Sequence, residues 1–155
     1  MNPKTYLNQY DLYRAELKNK RAERKAIEYE EALPSGVDYS KDRVQSSHTD
    51  GMFSLYLRIQ MRCEELNSRI LWLEDRMRAI EDEVNSMNDA SIKRLLHMRY
   101  IEMQGWHEVS EELARLYPQF NYSEEHIRGK LHQKALREFA AKNLSKETKD
   151  YTQIH

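Results

Sequence analysis

Eleven apolar residues recur in alternating steps of four and three: Met52, Tyr56, Ile59, Cys63, Leu66, Ile70, Leu73, Met77, Ile80, Val84 and Met87. That 3.5-residue period, sustained over about five heptads, belongs to a helix that lays one seam against another helix. The helix is expected over residues 51–88, and it needs a partner, since the seam left in water would oppose folding. Two partners fit. Residues 4–33 can fold back as an antiparallel hairpin, or the same helix of a second copy can pair with it as a homodimer. The stretch between, "PSGVDYSKDRVQSSHTD" (34–50), is long enough to reverse direction and favours the hairpin. Its length exceeds the usual connection between helices, which marks it as functional or mobile. Cys63 lies within the seam and behaves there as a small buried hydrophobe. It is the sole cysteine, so an internal disulfide is excluded and a structural zinc site lacks its thiols.

The rest of the chain also predicts helices. Its 155 residues hold four glycines and three prolines, too little turn chemistry for a β fold, and β-branched runs are absent; the fold class is all-α. Residues 4–33 carry Tyr6, Tyr10, Tyr13, Leu17 and Ile27 at helical spacing, interrupted by Lys20 and Arg24. Pro34-Ser35-Gly36 ends that helix, because a residue before proline is pushed out of the α region. The cluster Lys18, Lys20, Arg21, Arg24 and Lys25 could touch phosphates, but it reads better as a solvated face balanced by nearby glutamates. After "NSMNDA" a third helix is expected over 91–103, with Leu95, Leu96, Met98 and Tyr100. It breaks at Gln104-Gly105. A further helix starts at Trp106 with Val109, Leu113 and Leu116, and the last runs from about Ser123 to Ala141. The expected organisation is a helical arm (1–88), a helical module (89–141) and a flexible tail (142–155).

A formal net charge of −1 gives no global field for nucleic acid. The distribution is uneven: residues 51–90 carry five basic and eight acidic side chains, whereas residues 126–149 carry seven basic and two acidic. Any polyanion site therefore belongs to the last third. At 100° per residue, Ile127, Leu131, Ala135 and Phe139 form one stripe of the last helix that would pack inward. Roughly opposite stand His126, Gly129, Lys130, Gln133 and Arg137. These are hydrogen-bond donors, plus a glycine that permits close backbone approach, as a helix in a DNA major groove requires. Ser123 is the expected N-cap, leaving first-turn N–H groups for a phosphate. An ordinary amphipathic surface helix, basic toward its C-terminus to complement the dipole, has a similar pattern.

Other chemistry is not signalled. The six histidines lack metal-ligand spacing, no glycine-rich phosphate loop occurs, and no nucleophile has a neighbouring base, so neither a metal, a cofactor nor an enzyme activity is expected. No stretch approaches the roughly 20 apolar residues of a membrane span, and the N-terminus lacks a signal-peptide core. A cytoplasmic protein is expected.

The segment "LLHMRYIEMQGWHEVSEELARLY", followed by "YSEEHIRGKLHQKALREF", resembles region 4 of bacterial sigma factors. The resemblance is carried by Arg99-Tyr100-Ile101 at a helix end, by Trp106-His107-Glu108-Val109-Ser110-Glu111-Glu112-Leu113 in the supporting helix, and by His132-Gln133-Lys134-Ala135-Leu136 in the recognition helix. A long coiled-coil-like helix upstream, preceded by the "DYS" segment of Asp38 to Ser47, is similar to small phage proteins of the ArpU, RinA and LtrC type. These are activators of phage late genes with a sigma-region-4-like C-terminus. The likeness covers most of residues 30–140 and implies a helix-turn-helix module after the hairpin. Two features depart from it: the turn "YPQFNY" (Tyr117 to Tyr122) is longer than the tight connection, and Glu124 and Glu125 put negative charge at the start of the recognition helix.

The resemblance implies a sequence-specific transcriptional activator of phage genes in a bacterial host. Its partners would be promoter duplex DNA and the host RNA polymerase, with a regulatory protein or a second copy of the chain as further candidates and no membrane. Two other classes fit parts of the same pattern. A small-terminase-like DNA-packaging adaptor also joins a DNA-binding helix pair to an oligomerising coiled region. A helical interaction protein without DNA binding would instead use the loop "DYSKDRVQSS".

Overall fold

The computed structural model describes residues 1–32 and 47–144. Among them every regular element is helical: α1 (Pro3–Ala32), α2 (Ser47–Asn85), α3 (Ala90–Leu96, continued by a wider π turn, His97–Ile101), α4 (Trp106–Leu116) and a 3-10 turn (Pro118–Phe120). The last helix, α5, is continuous over residues 124–144, through Glu124–His126, Ile127–Leu131, His132–Phe139 and Ala140–Leu144. The all-α expectation holds, and among the described residues no helix is long and apolar enough to cross a membrane. α2 takes in the end of the expected loop by starting at Ser47, and α5 continues past Ala141 to Leu144. Residue 33, most of the expected loop (34–46, with the "DYS" segment) and most of the tail (145–155) lie outside the described residues.

The chain divides into two compact units, one of residues 15–74 and one joining residues 1–14 to the part of the chain from residue 75 onward. The division falls inside α1 and α2, away from the expected boundary at residue 88. In the unit of residues 15–74, α1 and α2 run antiparallel and bury Leu17, Cys63, Leu66 and Leu73 between them. Arg69 grips Glu16 with two hydrogen bonds (2.6 and 2.9 Å), and Arg62 meets Glu23 at 2.7 Å. The basic cluster of α1 is largely neutralised: Lys20 pairs with Glu23, Arg21 with Glu74 and Arg24 with Glu28. Arg24 also donates to Asn67 (3.0 Å) and approaches the Cys63 sulfur. The heptad seam is not buried throughout, for Met52 and Tyr56 are 51% and 57% exposed. With Glu16 opposite Arg69 and Glu23 opposite Arg62, Tyr56 falls across from the last described turn of α1.

The other unit holds the larger core. Tyr6, Leu7 and Tyr10 of α1 enter it beside Ile80 and Val84 of α2, and Met87 closes it at the following turn. Ile92, Leu95 and Leu96 of α3, Val109 and Leu113 of α4, and Ile127, Ala135 and Phe139 of α5 complete it, each without solvent exposure. The valine, leucine, isoleucine and phenylalanine side chains among these contribute roughly 1.5–3 kcal/mol each when fully buried. Leu7, absent from the expected α1 stripe, is fully buried, while Leu116 of the expected α4 stripe is exposed. The Tyr6 and Phe139 rings lie 6.0 Å apart. Polar ties reinforce the packing: Tyr10 donates to Glu81, and Arg14 donates to the Ile101 carbonyl while lying over the Tyr10 ring.

Between α2 and α3 the chain turns within four residues. Ser86 donates to the Glu83 carbonyl (2.7 Å), and Asp89 caps α3, accepting from the Ser91 hydroxyl (2.7 Å) and from the backbone N–H of Ser91 and Ile92. The Ser91 hydroxyl bond, helped by those two N–H groups, holds the Asp89 carboxyl below its ordinary 3.8. Its contribution to stability is therefore present above pH 3.8 and is lost as pH falls below that value through the lowered pKa. We expect Asp89→Ala to cost about 1 kcal/mol in urea unfolding at neutral pH, with a smaller difference from the parent at acid pH. A difference that stays constant down to strongly acid pH would argue against the cap's role.

Candidate nucleic-acid interface

Helix α5 has two chemically distinct sides. Ile127, Leu131, Ala135 and Phe139 are buried, as their spacing predicts, and Leu136 and His132 join them. On the outer side His126, Gly129, Lys130, Gln133 and Arg137 are exposed together on one face, with Ser123 at its N-terminal edge. The fold thus brings all six sequence-derived candidates to one surface. Ser123 is extended (φ −80°, ψ 154°), and its Oγ accepts from the His126 N–H at 3.2 Å. Lys134 adds a further exposed cation beside this face, and Arg128 is exposed on the side of the helix that carries His132.

The turn from α4 to α5 is built by aromatic residues. After the 3-10 turn, Asn121 adopts a left-handed conformation (φ 45°), which asparagine tolerates better than most residues. The Phe120, Tyr122 and His126 rings then stack in series at 5.6 and 6.0 Å. Glu124 comes within 3.8 Å of His107 on α4, which also pairs with Glu111 at 3.1 Å. One of the two acidic residues at the helix start is thus directed back to the supporting helix.

At the other end of α4, the chain breaks at the corner "MQG", as its sequence predicts. Met103, rather than Gly105, takes the left-handed conformation, at φ 56°, which costs a non-glycine residue about 1 kcal/mol or more. Gly105 is extended and serves as the N-cap of α4. Arg99 clamps the corner, donating to the Gln104 carbonyl at 2.9 Å and lying 4.6 Å over the centre of the Trp106 ring. Arg94 bridges α3 to Glu112 on α4 at 3.6 Å and also holds Glu102 at 3.1 Å.

Beneath the corner, the Tyr100 hydroxyl meets His132 Nε2 at 2.8 Å, and the Trp106 ring sits edge-on to the imidazole at 4.8 Å. With the hydroxyl donating, Nε2 acts as acceptor and His132 is neutral. Burial, together with the nearby Lys4 and Arg99 charges, pushes its pKa down from 6.5 to about 4. Burial pushes the Tyr100 phenol up to about 12. This pair floors a cleft of about 310 Å³, walled by Lys4 and Asn8 of α1, Arg99, Met103 and Trp106 of the corner, and Arg128 and Gln133 of α5.

No protein-family model, curated protein or solved structure matches the chain.

Sequence periodicity finds the outer face of α5 and misses the cleft. Gln133 belongs to both, but Lys4 lies far away in sequence and reaches the cleft only through the packing of Tyr6 and Leu7. His132 carries no warning of burial, since its spacing places it at the edge of the apolar stripe. Arg99 and Trp106 do stand within the sigma-like motif residues, and their mutual contact is the signal that could have flagged the corner. Among the described residues no three His, Cys, Asp or Glu side chains gather as a metal-ligand set.

Two outcomes follow. His132 is neutral when folded and can protonate when unfolded, so the unfolded chain binds more protons between about pH 4 and 6.5. Stability should be full above pH 6.5 and decline as pH drops through that window; chemical denaturation at several pH values should show His132→Gln with a flatter decline, and parallel curves would refute this. Met103→Gly should raise stability by about 1 kcal/mol by relieving the left-handed strain; a lowered urea midpoint would show that the Met103 side chain matters more than its backbone.

Proposed function

We propose that the protein is a sequence-specific DNA-binding transcriptional activator of phage late genes that acts with the host RNA polymerase. The observation that carries this reading is the two-sided character of α5. Its apolar stripe is buried in a core shared with α4, while Lys130, Gln133 and Arg137 stand together with Gly129 on the exposed side. A helix held this way can enter a major groove, with cations toward phosphates and an amide side chain toward base edges. Gly129 has open space where a side chain would project, which suits close approach of the helix to a ligand. The pairing of Glu124 with His107 also supports the reading, since it directs one negative charge toward α4.

The sigma-region-4-like arrangement is part of the same proposal. In it α4 is the supporting helix and α5 the recognition helix. The residues that resemble sigma factors and the ArpU, RinA and LtrC type proteins then lie in the corner clamp (Arg99, Tyr100, Trp106) and along α5 (His132 to Leu136). The late-gene activator role and the polymerase partner rest on that resemblance, while duplex binding rests on the face of α5.

Selection of duplexes from a randomised pool by the purified protein should return an enriched motif. Lys130→Ala and Arg137→Ala should each weaken binding across all sequences and reduce the salt slope by about one. Gln133→Ala should instead relax preference at one position, at a cost of about 1–3 kcal/mol there. Duplex affinity unaffected by all three changes would remove this face as the interface, and absence of an enriched motif would remove sequence specificity.

A further inference from the structure

The cleft beside α5 is more than a by-product of packing. Its walls contribute three cations, Lys4, Arg99 and Arg128, and two amides, Asn8 and Gln133, and no acidic side chain lines it. Elsewhere in the protein basic residues are commonly neutralised, by Glu16, Glu23, Glu28, Glu74, Glu102 and Glu112 among others. Among the described residues neither the Lys4 ammonium nor the Arg128 guanidinium has an ion-pair partner, although both face the same space. Like charges gathered around one concavity repel each other, and an anion placed between them would relieve that repulsion.

The cleft is also built. Arg99 is fixed by the Gln104 carbonyl and the Trp106 ring, and the floor is fixed by the Tyr100–His132 hydrogen bond. The floor imidazole is held neutral, in part by the same Lys4 and Arg99 charges. Met103, the strained residue of the corner, stands at the wall; strain of this kind gathers at ligand sites.

We propose that this cleft is an oxyanion pocket in which Lys4, Arg99 and Arg128 surround one phosphate group, supplied by the backbone of a duplex lying along α5. The duplex as the source rests on the function proposed above; the phosphate chemistry rests on the cleft itself. Gln133 lines the pocket and also belongs to the outer face, so the two surfaces adjoin on α5. Lys4 thereby makes the start of the chain part of the interface, although it lies more than 100 residues before α5 in sequence.

Lys4 and Arg128 are exposed, so replacing them leaves the core intact. The salt dependence of duplex binding is measured for the full chain and for the double variant Lys4→Gln with Arg128→Gln, with Arg58→Gln of α2 as the control. Two cations serving one phosphate should together lower the slope by about one, because the slope counts phosphates rather than side chains. That result, with Arg58→Gln unchanged, supports the pocket. An unchanged slope, or a loss of about two, overturns it while leaving duplex binding in place. If no duplex binds at any salt, the DNA reading itself fails, and inorganic pyrophosphate becomes the probe, followed through Trp106 emission in a Trp72→Phe background. A response abolished by the double variant then keeps the pocket with a soluble phosphate as its source; no response overturns it.

Discussion

The burial of Phe139 against the first turns of α1 is the contact on which the larger unit depends. Tyr6, Leu7 and Tyr10 arrive from the beginning of the chain, Ile80 and Val84 from the end of α2, and Phe139 from the last helix. Each element alone exposes an apolar stripe, and each finds its cover only in the others. Because α5 is seated by that core, its outer residues project together, and because Tyr6 and Leu7 are seated by it, Lys4 and Asn8 are delivered to the cleft. The polar surface is thus a consequence of apolar packing from both ends of the sequence.

How much of this was legible beforehand depends on the range over which each feature is specified. Features set by residues within a few turns of one another read well. The α5 stripe and its opposite face came from 100° arithmetic, the Ser123 cap from its residue type, and the seam of α2 from its heptads, since all are local properties of one helix. The seam also showed where locality fails: the pattern continues to Met52, but Met52 and Tyr56 are exposed.

Features specified by tertiary contact were not legible. Leu7 looks like one more apolar residue on a tyrosine-rich helix until the core claims it. The left-handed residue of the corner is Met103, two residues before Gly105, and the clamp of Arg99 on Gln104 and Trp106 joins groups that no local pattern marks. His132 would pass for a surface donor among lysines and arginines. It is buried because Tyr100 and Trp106 meet it from two other elements. The units likewise cut across the helices rather than between them, so no change of composition marks their boundary.

The joining of residues 6–10 to residues 127–139 also bears on how the chain acquires its shape as it leaves the ribosome. α1 emerges first, and Leu17 can find Leu66 and Leu73 as soon as α2 has followed. Tyr6, Leu7 and Tyr10, however, have no Phe139 to pack against until nearly all of the described chain has been made. The beginning of α1 can therefore gather on Ile80 and Val84 once α2 has followed, but the core it belongs to is complete only after α5 has been made.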